Sequence, residues 1–131
     1  MAIVEYRETH EVDLEQLAAL MRTAGWNRGD DRARLAQQVV GARYVVSAWE
    51  GSRLVGFARA ISDGATNAYV STVAVLPQYR GRGIGREMMA RLLAGKDGIQ
   101  FVLHARPEVQ AFYEKCGFSQ ATDMMSRKRK F

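Results

Sequence analysis

The sequence has little cysteine, proline and histidine, and it has no long hydrophobic run. Its 131 residues include one cysteine, Cys116, with two prolines and two histidines. A lone cysteine excludes an internal disulfide and a zinc site built from cysteines. No segment approaches the ~18 consecutive apolar residues of a membrane span, and the first residues lack the apolar core of a secretory signal. We therefore expect no membrane partner and a reducing, cytoplasmic setting.

The overall composition is typical of a single globular domain. Hydrophobic residues make up 47% of the chain and charged residues 25%, close to the average for soluble domains. We expect one domain over residues 1–131, because this length fits a single core and the sequence shows no linker, repeat or low-complexity stretch.

The net charge of +5 is concentrated in a short basic run. Residues 127–130, Arg-Lys-Arg-Lys, supply four of these charges and leave +1 for the rest of the chain. Such a run can contact phosphates or an acidic membrane surface. More often it is a solvated terminus or a charged edge strand that blocks aggregation. We therefore predict no nucleic-acid partner.

Hydrophobic periodicity predicts an α/β fold. Alternating or β-branched runs predict strands at residues 2–6, 44–49, 54–61, 68–76 and 99–104, and another from Phe118 onward. Apolar residues at helical spacing predict two helices after Asp13 and Asp31, a third that ends near Gly95, and a fourth from Pro107 to Gly117. We expect a single mixed, mostly antiparallel sheet of six to seven strands flanked by about four helices.

A loop rich in glycine and arginine joins the fourth predicted strand to the third predicted helix. It reads Arg80-Gly81-Arg82-Gly83-Ile84-Gly85-Arg86. Unbonded amide N–H groups and the positive end of the helix dipole meet there, which favours an anionic phosphate. Glycines let the backbone approach the phosphate, and the arginines add charged donors. A flexible glycine-rich turn without a ligand is the alternative.

Two motifs point to one kind of phosphate ligand. The spacing is neither that of a dinucleotide fingerprint nor that of a nucleoside-triphosphate loop. Arg80-x-x-Gly83-x-Gly85 instead resembles the acyl-CoA pyrophosphate signature of the GNAT superfamily of acetyl-CoA-dependent N-acetyltransferases. Downstream, Phe112-Tyr113-x-x-x-Gly117-Phe118 resembles the segment that closes the last helix in that family. The order of elements between residues 43 and 118 is also similar to the family's.

The resemblance implies a GNAT-like acyl-CoA N-acyltransferase fold, with acetyl-CoA as co-substrate and no metal. The backbone of Val73, Ala74 and Val75 would pair with the pantetheine arm. The pyrophosphate would be held by Arg80, Gly81, Arg82, Gly83, Ile84, Gly85 and Arg86. An asparagine that contacts the CoA arm in many relatives is absent, because residues 105–108 read Ala-Arg-Pro-Glu.

Tyr113 matches the family's tyrosine that faces the thioester sulfur. The resemblance implies that it acts as general acid for the CoA thiolate, while an amide near Val73 polarises the acetyl carbonyl. A tyrosine beside Phe112 on one helical stripe is otherwise a core aromatic. No general base is assigned: His104, Asp63 and a water chain are the alternatives.

The predicted function is acetyl transfer from acetyl-CoA to a primary amine of a small molecule. A protein or peptide N-acetyltransferase and a non-catalytic acyl-CoA sensor are the alternatives. Thirteen residues follow Phe118, which is short for two further strands. A homodimer in which a partner chain completes the sheet therefore stays open.

Overall fold

The computed structural model describes residues 3–26 and 31–130, and these form a layered α/β fold. The strands are β1 (Glu5–Arg7), β2 (Tyr44–Glu50), β3 (Arg53–Ser62), β4 (Asn67–Val75) and β5 (Gln100–Leu103). The helices are α1 (Leu14–Thr23), α2 (Arg32–Gly41), α3 (Ile84–Leu93) and α4 (Pro107–Lys115). A short 3₁₀ turn, Pro77–Tyr79, lies between β4 and α3. Four helices are confirmed for these residues, and the predicted order of strands and helices is confirmed as far as α4.

The five strands form one sheet in the order β1-β2-β3-β4-β5. The first four are antiparallel neighbours, and β5 runs parallel to β4. A parallel neighbour requires a crossover connection, which α3 provides between β4 and β5. The prediction of a single mixed, mostly antiparallel sheet is confirmed.

The prediction of six to seven strands is wrong for the described part of the chain. Phe118 and the residues after it as far as Lys130 belong to no strand, and residues 119–130 are all exposed. This segment is polar up to residue 123 and carries four adjacent cations at 127–130, so it has no alternating apolar face to bury. As a result β5 is a half-exposed edge strand. The predicted first strand began at Ala2, and residues 1 and 2 lie outside the described residues.

Side-chain caps begin the first two helices where the sequence predicted them. The carboxylate of Asp13 accepts hydrogen bonds from the N–H groups of Glu15 and Gln16, and Asp31 accepts one from Arg34. These bonds satisfy amide groups that have no partner inside the helix. None of the helices in the described ranges is long and apolar enough to cross a membrane.

Both faces of the sheet are covered. Helix α3 contacts β2, β3 and β4, and its Met88 side chain lies against Gly56 of β3. On the opposite face of the sheet, Phe57 and Ala74 are also buried, and α1 contacts β3 and β4. The α1–α2 pair therefore covers the face that α3 leaves free.

We predict that Gly56→Ala lowers the free energy of unfolding by about 1–3 kcal/mol, because a new methyl group would overpack the α3 interface. An added Cβ would lie 3.1 Å from both Sδ and Cε of Met88. Denaturant unfolding of Gly56→Ala, Met88→Leu and the double variant measures the coupling energy between positions 56 and 88. Leucine is chosen because it lacks the sulfur and the terminal methyl group that the new Cβ would crowd. Equal midpoints for Gly56→Ala and the wild type would contradict the contact.

Candidate active site

The neighbouring strands β4 and β5 separate part-way along their length. Their last pair is Val70 with Leu103, whereas β4 continues to Val75. On β3, Arg59 pairs with Thr72 and Ala60 with Val70, so Ser71 is an extra residue in the ladder. A bulge of this kind bends the strand that carries it. From residue 71 to residue 75, the edge of β4 that faces β5 has no strand partner.

The open edge of β4 leads to the uncapped N-terminus of α3. Gly83 is the cap residue, has a φ of +80°, and offers no side-chain acceptor. The first hydrogen bond of the helix runs from the N–H of Glu87 to the carbonyl of Gly83, at 3.0 Å. The amides of Ile84, Gly85 and Arg86 precede that bond, so they can bind an anion.

The three predicted glycines have two different roles. Gly81 and Gly83 have φ values of +78° and +80°, and a Cβ on either would meet no atom within 4 Å. Their backbone is therefore left-handed, as the sequence predicted, and no protein atom crowds it. Gly85 is a packing position instead: a Cβ there would lie 3.3 Å from Cζ of Phe112. It lets α3 and α4 approach closely beside Val75.

Two arginines of the loop bind backbone carbonyls of the segment that precedes it. Nε of Arg80 donates to the carbonyl of Val75 at 3.2 Å, and Nη2 of Arg82 donates to that of Gln78 at 3.1 Å. Arg86 lies exposed in the first turn of α3. The loop therefore holds two of its cations in place while leaving their remaining donors available.

Tyr79, which was not among the predicted site residues, anchors this loop. Tyr79 is buried, and its hydroxyl donates to Oε1 of Glu50 at 2.8 Å. The guanidinium of Arg82 lies 4.9 Å from the centre of its ring, and that of Arg53 lies 5.4 Å away. The signal available in the sequence was an aromatic residue between Pro77 and the glycines.

Tyr113 is half-buried on α4. Its ring packs edge-on with Phe112 and Phe118, at centroid distances of 5.0 and 5.9 Å. Burial, followed by the nearby Cys116 thiol, raises the pKa of its hydroxyl above the ordinary tyrosine value. The hydroxyl therefore stays protonated at neutral pH, as a proton donor must.

A cavity of about 910 Å³ borders Tyr113. It lies between β5, the α4 helix and the exposed segment that follows Phe118, and its wall also includes Tyr69 and His104. The residues from Val73 to Val75 and the glycine loop are outside it. This cavity lies along the free edge of β5, and Tyr113 forms part of its wall.

Of the three alternatives for the general base, Asp63 is the one that the structure engages elsewhere. The Asp63 carboxylate accepts hydrogen bonds from the N–H groups of Ala65, Thr66 and Asn67, which lower its pKa. It is a turn residue. His104 is exposed and packs edge-on against Tyr69 at 5.8 Å. Within residues 3–26 and 31–130, no three His, Cys, Asp or Glu side chains form a group that could hold a metal ion.

A buried cation beside the bulge was also missed. The Arg59 side chain donates to Oγ1 of Thr72 at 3.1 Å and to Oγ of Ser71 at 3.0 Å. Burial lowers its pKa. The signal in the sequence was one charged residue inside the apolar run from Leu54 to Ile61.

Comparison with known proteins identifies the family of this fold and cleft. A family model described as an acetyltransferase (GNAT) domain matches residues 41–120. An uncharacterized N-acetyltransferase ycf52-like from Prochlorococcus marinus is 34% identical over 121 residues, which are 87% of this chain and 67% of that protein. The chain belongs to the GNAT family.

Two further GNAT comparisons agree. Serotonin N-acetyltransferase 2, chloroplastic, from Oryza sativa is 36% identical over 124 residues, covering 89% of this chain and 62% of the rice protein. This chain thus spans about two thirds of the length of these two relatives. A crystal structure from Xanthomonas campestris, described as belonging to the GNAT family, superposes with a TM-score of 0.85 at 26% identity. That superposition covers 98% of this chain and 95% of the other.

We predict that Gly83→Asp in this GNAT chain abolishes CoA binding, because a carboxylate at the start of α3 repels the pyrophosphate and the side chain blocks its approach. Calorimetric titration with CoA measures this. The matched control is Gly95→Asp, since Gly95 also has a positive φ, +72°, and open space but lies after the end of the same helix. Unchanged CoA affinity in Gly83→Asp would contradict the site.

Proposed function

We propose that this GNAT protein transfers the acetyl group of acetyl-CoA to a primary amine of a small molecule. The observation that carries the proposal is the unpaired edge of β4, residues 71–75, which leads into the uncapped N-terminus of α3. An extended arm that ends in a pyrophosphate matches both features. The unpaired edge of β4 needs a strand-like partner, and the uncapped N-terminus of α3 needs an anion.

In this proposal, the backbone from Val73 to Val75 pairs with the pantetheine arm. The loop from Arg80 to Arg86 binds the pyrophosphate with the α3 amides and the donors that Arg80 and Arg82 retain. The thioester then lies near the bulge at Ser71, where β4 leaves β5. Family membership and the open backbone groups support this placement.

The reaction is a direct transfer. A neutral amine nitrogen forms a bond to the acetyl carbon, and an N–H near Val73 stabilises the negative oxygen that develops. The C–S bond then breaks, and the Tyr113 hydroxyl donates its proton to the thiolate. The amine's surplus proton passes to solvent, and a proton from solvent restores the Tyr113 hydroxyl, so the products are an acetamide and CoA with a free thiol.

The small-molecule acceptor is supported by the rice relative, which is named for the amine serotonin. A cytoplasmic setting and the pairing of two copies stay predictions.

We expect acetyl transfer from acetyl-CoA to at least one member of a mixed panel of amines. The panel includes arylalkylamines, polyamines, aminoglycosides, amino acids and lysine peptides, with products detected by mass. Mass detection avoids thiol reagents that Cys116 would consume. Products confined to lysine peptides would favour a protein acetyltransferase. Tight acetyl-CoA binding without any product would favour an acyl-CoA sensor.

We predict that Tyr113→Phe lowers kcat by about 10²–10⁴-fold, because the thiolate loses its proton donor. The KM for acetyl-CoA should change little, since the ring and its packing against Phe112 and Phe118 are retained. Steady-state kinetics with the best panel amine measures both constants. Tyr44→Phe is the matched control, because it also removes one tyrosine hydroxyl, but from the start of β2, outside the proposed site. Full activity of Tyr113→Phe would show that water or another group protonates the thiolate.

A further inference from the structure

The Arg59 guanidinium is a buried cation in the middle of the sheet. The residue is 8% exposed, and Thr72, its partner across the β3–β4 ladder, is 7% exposed. None of the ion pairs among the described residues includes Arg59. An unpaired buried charge is strongly destabilising, so apolar packing alone gives no reason for an arginine here.

The hydrogen bonds of this cluster leave several donors to spare. Nε and Nη2 of Arg59 donate to the hydroxyl oxygens of Thr72 and Ser71. Each hydroxyl accepts, so its own hydrogen is available to donate. Nη1 has no hydrogen bond to any of the residues that the structure describes. No fully enclosed side-chain nitrogen or oxygen in the described residues lacks a partner, so Nη1 reaches the small exposed part of the residue.

The chemistry of the cluster selects its ligand. A guanidinium with a free nitrogen beside two hydroxyl hydrogens offers positive charge and several donors. No carboxylate is bonded to it in the described part of the chain. The group that satisfies such a set is an anion with more than one oxygen, and Arg–oxyanion hydrogen bonds are among the strong ones.

The position of the cluster indicates which molecule carries that anion. Ser71 is the bulge residue, and Thr72 follows it on β4, at the point where β4 leaves β5. The pyrophosphate site is at the other end of the open edge, beyond Val75, so the CoA phosphates do not reach Arg59. The acceptor is the remaining molecule at this end of the cleft.

We propose that Arg59, with the hydroxyls of Ser71 and Thr72, binds an anionic group of the acceptor. The acceptor is then a primary amine that also carries a carboxylate or a phosphate. This inference rests on the proposed function for the position of the thioester. Arg59 is a specificity-determining residue and takes no proton in the reaction.

Thr72→Asp is the central variant of the test. It brings a carboxylate to the place of the hydroxyl that now lies 3.1 Å from Nε of Arg59, so the cation gains an internal partner. Thr72→Asn has nearly the same size and no charge, which makes it the matched control. Arg59→Met removes the cation and keeps an apolar side chain of similar length.

The preference for an anionic acceptor is measured with two pairs of amines. Phenylalanine is compared with phenethylamine, and phosphoethanolamine with ethanolamine; the first member of each pair carries the anionic group. In the wild type, we expect kcat/KM to be at least about tenfold higher for the anionic member of one pair. Relative to its neutral partner, that member should lose about tenfold or more in Thr72→Asp and Arg59→Met. It should lose less in Thr72→Asn, because the asparagine removes one hydroxyl donor but leaves the cation without an internal carboxylate. Comparing variants cancels the different basicities of the amines. A preference that persists in Thr72→Asp would overturn the inference.

A binding measurement tests the inference without requiring the protein to turn over a substrate. With CoA bound, we expect N-acetylphenylalanine or N-acetylphosphoethanolamine to bind wild-type protein at least about tenfold more tightly than its neutral analogue, and Thr72→Asp to lose that difference. Equal affinities in the wild type would overturn the inference even if amines are acetylated. A complete lack of acetylation together with the expected binding would contradict the proposed function and leave the anion site standing. A higher Tm of Thr72→Asp with unchanged preference would make Arg59 purely structural.

Discussion

The site depends on the loss of pairing between β4 and β5 after Val70 and Leu103. Backbone N–H and C=O groups strongly require partners, and an open edge inside a fold is a place where another extended chain can add. The bulge at Ser71 bends β4 at this same point. The separation thus provides the open edge, directs it toward the start of α3, and leaves Arg59 beside its other end.

The polar end of the cleft is preorganised before any ligand arrives. Tyr79 is fixed by its hydrogen bond to Glu50, and Arg82 stacks on its ring. Arg80 is tied to the carbonyl of Val75. Because these side chains are already ordered, anion binding requires less loss of side-chain freedom. The glycines contribute open backbone at the same place, so rigidity of the side chains and access to the amides coexist.

Local patterns predicted what depends on local chemistry. Asp13 and Asp31 marked helix starts because capping uses amides two or three residues away, and the glycine loop was recognisable because positive φ favours glycine. The strand count failed because pairing after Phe118 depends on a partner edge that periodicity does not report. Arg59 was missed for a similar reason: its partners lie on the neighbouring strand, across a bulge that no pattern in β3 reveals.

The protonation state of the attacking amine follows from the charges around the bulge. An alkyl ammonium has a pKa near ~10 in water, and desolvation lowers it because burial disfavours the charged form. A nearby carboxylate would counteract this effect by stabilising the ammonium. At this end of the cleft, the polar side chains of β3 and β4 are Arg59, Ser71, Thr72 and Tyr69, none of which carries a negative charge at neutral pH. In the proposed reaction, these surroundings therefore favour the neutral, nucleophilic form of the amine.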